Sequence, residues 1–440
     1  MLIPNAIPDK EPLIRVGIIL PEDKFTFIEI KKSRSNDYRF ISDESEEYLA
    51  QELLHQFEHS EDKIVLNGKK KSFSWRIEPK HRHNIGPEHG LKVKNIFAGR
   101  GFHWEKTIDV TLPGSIEISL FNNYLILINE LPLEEYLMCV ATSEMGAECP
   151  QALIESQTVA ARSWLLANIE QKHVRMSMDV CNDDCCQRYQ GSGNLTAQSL
   201  EGTRRTSGLV LQYKNKICDA RYSKSCGGMM ESFHTIWPGI DLNYLQSIPD
   251  APHGFKYPTL PLSNEKNIKK WIDSTPETYC SSKTISESNL KKYLGSVDEV
   301  GTYFRWQIEY TQQELCDLLN LKLGLGATAI LDFDVPKRGG SGRLYQLRII
   351  FRNRDKQEKR FLLDGEYKIR QAFHKGFLYS SCFYIATRAD HPINFQLKGA
   401  GWGHGVGFCQ IGALGMAIKG YTTEQIVAHY YPGSELKKIY

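Results

Sequence analysis

An α+β fold is predicted, on three observations. Strand-like patterning dominates Ile14 to Ile128, two helix-patterned segments follow from Leu133, and a glycine-rich loop leading into helical sequence closes the chain. Apolar positions repeat every second residue in the first stretch and every three to four residues in the second. Strands and helices grouped in this way, rather than strictly alternating, point to helices packed on mixed or antiparallel strands.

The elements follow in order. Ile14-Arg15-Val16-Gly17-Ile18, Phe25 to Ile30 and Ile116 to Leu120 read as strands with Gly and Asn turns between them. An acidic patch from Asp43 to Glu61 is helix-permissive and interrupts that pattern. Tyr124 to Pro132 is a further strand, delivering the chain to a helix beginning at Leu133. Pro150 suits the first turn of a second helix, whose face of Leu153, Gln157, Ala160, Ala161, Trp164, Leu165 and Asn168 extends to about Gln171. Strands return at Leu209-Val210-Leu211 and Ala220 to Ser223. Pro249, Pro252, Pro258 and Pro261 then mark a boundary. Beyond it come strands at Thr328 to Phe333, Leu344 to Phe351 and Phe383 to Ala386, and near the end helices from Gly412 to Lys419 and from Thr422 or Thr423. The expected organisation is a strand-rich region 1–125, a core of 126–255 with 391–440, and an α+β insertion 256–390 placed as a lid.

With 440 residues the chain is long enough for two or three domains, and 41% hydrophobic with 24% charged residues is ordinary for a globular protein. The 54 basic and 52 acidic residues are mixed and sum to +2, which gives no electrostatic footprint for nucleic acid. No apolar run reaches the ~18 residues of a membrane span, and Met1 to Leu20 lacks the pattern of a secretory leader. Most of the eleven cysteines are scattered and read as small core residues.

Glu144 is the most informative position. In Leu133 to Gly146 an amphipathic helix places Leu133, Leu137, Val140 and Glu144 at three- and four-residue steps, so the acid falls on the apolar stripe. A desolvated carboxyl group disfavours its charged form, which suits it to donate a proton. The competing reading is a structural ion pair or helix cap.

Three other segments stand out. In Gly399-Ala400-Gly401-Trp402-Gly403-His404-Gly405-Val406-Gly407 the glycines allow close approach, Trp402 offers a ring face to a sugar, and His404 a hydrogen bond. The segment matches neither nucleotide-binding pattern, G-x-G-x-x-G or GK[ST]. His173, Cys181, Cys185 and Cys186 can fill a zinc shell, although the spacing is not that of a zinc finger; a local disulfide and free thiols are the other readings. Tyr222-Ser223-Lys224-Ser225-Cys226-Gly227-Gly228 is a polar turn after a strand, with no nucleophile elbow.

Taken together, Leu131 to Leu137, Ser143-Glu144-Met145, Ala160-Ala161-Arg162-Ser163, Asp179-Val180-Cys181 with Cys186 to Gly191, Gly227-Gly228, Ser341-Gly342-Arg343, Gly401 to Gly407 and Gly420-Tyr421 through Tyr430-Tyr431-Pro432-Gly433 resemble the stage II sporulation protein D family over about residues 126–440. The resemblance implies a lytic transglycosylase acting on peptidoglycan glycan strands already stripped of stem peptides. It implies Glu144 as the single catalytic acid, with Arg162, Tyr222 and Lys224 at the substrate beside Trp402 and His404. Arg162 would be the partner that tunes Glu144. Zinc would sit structurally on His173, Cys181 and Cys186, with Cys185 competing for the third position because relatives often carry His there. It further implies an extracytoplasmic location and an amidase as functional partner. A non-catalytic wall-binding or amidase-enhancing module is the alternative.

Overall fold

The computed structural model describes all residues except 5, 33–36, 50–52, 82–83, 103, 147, 168, 257–259, 295–300 and 389–393. Asn168 and Pro258, both used above, therefore lie outside the described residues. The α+β class holds, and two sheets build the N-terminal half. One runs in the order Val180–Cys181, Leu13–Ile19, Tyr124–Pro132, Ser115–Phe121, Ser74–Pro79, Tyr38–Ser42, Glu47–Leu49. The other runs Lys106–Leu112, Leu91–Ala98, Phe27–Lys32, Leu54–Ser60, Lys63–Leu66, Lys70–Ser72. Phe40, Phe57, Trp75, Ile77 and Leu91 join them in one core, each no more than 1% exposed. The acidic stretch expected to tolerate helix forms the strands Glu47–Leu49 and Leu54–Ser60 instead. There His55 and Phe57 alternate inward while Leu54, Gln56 and Glu58 face water, and that period of two overrides helix propensity.

Tyr124–Pro132 pairs antiparallel with Leu13–Ile19, from Leu13↔Pro132 to Ile19↔Leu127. The strand therefore spans the boundary expected at 125 and carries the chain from the sheet into the first helix, α1 (Leu133–Glu144). A second helix, α2 (Gln151–Ala167), packs on α1. The amphipathic stripe expected of α1 is not what the structure shows: every residue except Glu135 is buried. Sheet residues cover one side, and α2 and the helix Ala197–Arg205 pack on others, so α1 is a central helix. α2 is also shorter than the expected reach to Gln171, and Gln171 itself has a left-handed φ of 44°.

Trp306, Leu315, Leu347, Phe373, Phe383 and Leu397 share a separate core, which extends past the end expected for the insertion at 390. It combines the sheet Ala327–Arg338, Leu344–Asn353, Glu358–Asp364 with a second sheet in which Asn394–Ala400 lies between Arg305–Thr311 and Phe383–Arg388. Asn394–Ala400 runs directly into the glycine-rich loop, so the last strand of that sheet aims the loop at the core.

Candidate functional site

Glu144 is the last residue of α1 and is 7% exposed. Its Oε1 accepts from the backbone N–H of Arg188 (3.1 Å) and from the Tyr222 hydroxyl (3.0 Å); its Oε2 accepts from Gln410 Nε2 (3.1 Å). Lys224 reaches the same residue through the backbone, donating from Nζ to the Glu144 carbonyl (2.8 Å). That carbonyl is one of those left without a helical partner at a helix C-terminus, where a cation is favoured. Burial, and then the adjacent Glu144 carboxyl, pushes the Tyr222 phenol well above its ordinary pKa, so Tyr222 is a standing proton donor.

Each of these groups is placed by backbone pairing. Tyr222–Ser223 runs parallel to Phe408–Cys409, with Tyr222↔Phe408 and Ser223↔Cys409. The Ile411 N–H donates to the Lys224 carbonyl (3.0 Å), locking the start of the helix Gln410–Ile418 against the Lys224 turn. The loop between approaches this closely because Gly401, Gly403, Gly405 and Gly407 all adopt positive φ. At Gly405 a Cβ would lie 2.3 Å from the Arg343 guanidinium, so a side chain there displaces either the loop or the arginine. On the other side, residues 187–190 run along the end of α1: Gln190 N–H donates to Ser143 Oγ (3.1 Å) two residues beyond the Arg188–Glu144 bond. Tyr189 fixes that segment by stacking on Tyr136 at 5.3 Å and donating to Asn129 Oδ1 (2.6 Å).

The remaining expected site residues are placed differently. Arg162 does not tune Glu144. Its guanidinium is fully buried and bidentate on Glu134, Nε to Oε1 at 3.0 Å and Nη2 to Oε2 at 2.5 Å, with Nη1 donating to the Leu209 carbonyl. Glu134 also accepts from Gly208 N–H and the Tyr440 hydroxyl. This is a structural ion pair, with no face of Arg162 left for a ligand. Trp402 is not an open platform either: Tyr379 stacks on it at 4.3 Å and Tyr303 lies tilted at 4.7 Å. His404 accepts at Nδ1 from Val406 N–H (3.0 Å) and packs edge-on against Trp237. Burial, then Arg221, Arg370 and Arg343, hold the imidazole neutral, well below the usual histidine range.

His173, Cys181, Cys185 and Cys186 bring their ligand atoms within 4.8 Å of one another. Cys185 Sγ is central, at 3.0 Å from Cys181 Sγ, 3.6 Å from His173 Nε2 and 3.9 Å from Cys186 Sγ. The choice between His173 and Cys185 is thereby replaced by a four-group set. Three thiol groups and an imidazole match the donor chemistry of closed metal sites. Gly17↔Cys181 pairing anchors the cluster to the sheet edge, and Arg100 bridges Asp23 and Asp183 beside it.

Sequence reasoning missed Gln410 and the Arg188 backbone as partners of Glu144. Arg188 lies inside the Cys186 to Gly191 motif and Gln410 three residues beyond the glycine-rich one, but a side-chain amide beside a cysteine and a backbone N–H carry no sequence signal of their own. The Arg188 guanidinium is held by Asp184 (2.6 Å) and lies 4.0 Å over Trp104, next to Phe102 and, from the insertion, Phe377.

Comparisons with known proteins match two segments of the chain. Residues 231–407 match a domain of unknown function (DUF8618), and residues 122–213, which include Glu144, Arg162 and the cysteine cluster, match the family described as Stage II sporulation protein. An uncharacterized protein of Brachyspira hyodysenteriae is 24% identical over 353 residues, 79% of each chain. Stage II sporulation protein D of Bacillus subtilis is 22% identical over 369 residues, 78% of this chain and 88% of that one. The amidase enhancer of Bacillus subtilis is 25% identical over 310 residues, 68% of this chain but only 39% of its own length. Residues 122–213 thus carry the domain described as Stage II sporulation protein, and the likeness to Stage II sporulation protein D and to the amidase enhancer supports a cell-wall-related protein of that kind.

Proposed function

We propose that this protein is a peptidoglycan lytic transglycosylase in which Glu144 is the only proton-transfer group. The observation that carries the reading is the setting of its carboxyl: buried, and accepting on both oxygens from neutral donors. Hydrolysis of a glycosidic bond ordinarily uses two carboxylates, whereas a reaction closing an internal ring needs one. Glu144 gives its proton to O4 of N-acetylglucosamine as the bond from C1 of N-acetylmuramic acid breaks. The muramyl O6 then bonds to that C1, its proton passes to Glu144, and a 1,6-anhydro end results with the acid regenerated. Tyr222, Gln410 and the Arg188 N–H support the carboxylate formed in between without fixing it as an ion pair. Lys224 holds the end of α1, and so the acid, in place.

The glycan substrate implies an extracytoplasmic site of action; among the described residues no helix is long and apolar enough to cross a membrane. Zinc on His173, Cys181, Cys185 and Cys186 is read as structural, since four protein ligands leave no open position. The relative named amidase enhancer supports a second reading, a wall-binding module that assists an amidase.

Mass spectrometry of digests of peptide-free glycan tests these readings together. Anhydro ends are expected from the native chain and none from Glu144→Gln. Reducing ends in their place make it a hydrolase, and binding without new ends makes it a binding module. Asp184 is the carboxyl to check as a second group: it feels the charge of Glu144, and burial, opposed by Arg188, raises it to about 6. Asp184→Asn is expected to keep producing anhydro ends; complete loss of cleavage would return the two-carboxylate scheme.

A further inference from the structure

A second cluster of sulfur ligands lies in the core behind Glu144. Cys226, Cys280, Cys409 and Asp250 come from four separate segments: the turn after Tyr222–Ser223, the loops at 250 and 280, and the residue capping the helix Gln410–Ile418. All four are buried, Asp250 and Cys409 completely. Their ligand atoms lie within 4.8 Å of one another. We propose that Cys226, Cys280, Cys409 and Asp250 form a second, structural site for a thiophilic divalent cation such as zinc.

Three observations carry this assignment. The first is spacing. Two sulfurs at about 2.3 Å from one tetrahedral zinc sit roughly 3.8 Å apart, and Cys226 Sγ and Cys280 Sγ are separated by 3.7 Å. A disulfide would need about 2.05 Å, so the pair is spaced for a shared ion rather than a bond.

The second is the surroundings of the ligands. Cys409 Sγ accepts from the N–H groups of Cys226 (3.2 Å) and Gly412 (3.3 Å), and the Asp250 carboxyl accepts from Cys280 N–H (3.1 Å) and the Tyr430 hydroxyl (2.8 Å). Outer-sphere donors of this kind orient metal ligands and moderate their charge. Gly412 is part of the design, because a Cβ there would sit 2.6 Å from Asp250 Oδ2.

The third is cost. A carboxylate with no exposure in an apolar core is expensive unless a positive charge faces it. His429 faces it, with Nε2 at 3.7 Å from Oδ1. A divalent cation held with the three thiol groups would supply that charge.

The position has a consequence for the site already described. Cys226 is two residues from Lys224, and Cys409 is adjacent to Gln410. One ion would tie together the two segments that hold Glu144 from above, making it a positioning device that touches no substrate. The family-matched segment 122–213 contains none of these four residues.

Metal analysis of the purified full chain tests the proposal. Cys181→Ser with Cys186→Ser disables the first cluster, and that variant is expected to retain one zinc per chain. Adding Cys280→Ala should remove it. Cobalt loading of the first-cluster variant should give the absorption of tetrahedral cobalt thiolate, and Asp250→Asn should shift that spectrum even where the cysteine variants fold poorly. A first-cluster variant that folds yet takes up neither zinc nor cobalt overturns the proposal. So does non-reducing peptide mapping in which Cys226 and Cys280 are found joined as a disulfide.

Discussion

One helix carries two buried glutamates put to opposite uses. Glu134, in the first turn of α1, faces a guanidinium bidentately and also accepts from a backbone N–H and a hydroxyl. Glu144, at the last position, faces an amide, a phenol and a backbone N–H, none of them charged. Similar burial, 8% and 7%, thus comes with different partners. A bidentate arginine fixes a carboxylate permanently. Neutral donors set no fixed counter-charge against it. What separates a structural acid from a candidate catalytic one here is the charge of its neighbours and not its depth.

The sharpest way to break that contrast is to neutralise each acid in turn. Glu144→Gln is expected to lower strand cleavage by roughly 10²–10⁴-fold, the usual contribution of a positioned acid–base group, with little change in the unfolding midpoint. Glu134→Gln should do the reverse. It leaves Arg162 buried without its counter-charge, at a cost of about 3–5 kcal/mol, read by chemical denaturation. Replacing Glu134 and Arg162 together by Met is expected to recover most of that loss, because the pair is structural. If the double variant folds well but is as inactive as Glu144→Gln, the division of labour is wrong.

A smaller effect is expected at Tyr222. Tyr222→Phe keeps the ring and removes one hydrogen bond to Glu144, so kcat/KM should fall by about 5- to 30-fold, corresponding to ~1–2 kcal/mol. An unchanged value would show that the phenol only packs.

The smallest is a pH dependence outside the acid itself. His404 is neutral in the folded chain and titrates near 6.5 when unfolded. Below that pH the unfolded state binds a proton that the native state refuses. The stability contributed by the neutral ring is therefore complete above about 6.5 and declines as pH falls, by at most ~1.4 kcal/mol per pH unit. His404→Gln should flatten the midpoint-versus-pH curve between neutral and mildly acidic conditions.

The sequence made some of this contrast legible. Period-two and period-3.6 patterns located the sheets and both helices, and ordered motifs placed Tyr222 and Lys224 with Glu144. Arg162 was assigned to the wrong glutamate. Ten residues of helix separate Glu134 from Glu144 by about 15 Å along the axis, and nothing local says which end of α1 the middle of α2 will meet. Glu144 was found through an apolar stripe, yet α1 is buried on nearly every side, so the stripe was a partial view of a central helix. The scattered cysteines read as small apolar residues, and for Cys226, Cys280 and Cys409 only the closed fold reveals that they converge. Trp402 looked exposed because its covering rings, Tyr303 and Tyr379, lie many residues upstream.

The pairing of Tyr222–Ser223 with Phe408–Cys409 also sets the order in which this protein becomes competent. Glu144 and Gln410 stand 266 residues apart, with the whole insertion threaded between the two short strands that bring them together. Closing such a span is slow compared with forming the local sheets and helices around α1. During synthesis α1 can therefore be folded and its acid in place while one of the three groups holding the carboxyl has yet to be translated. A chain assembled in that sequence holds Glu144 incompletely until Gln410 has been made.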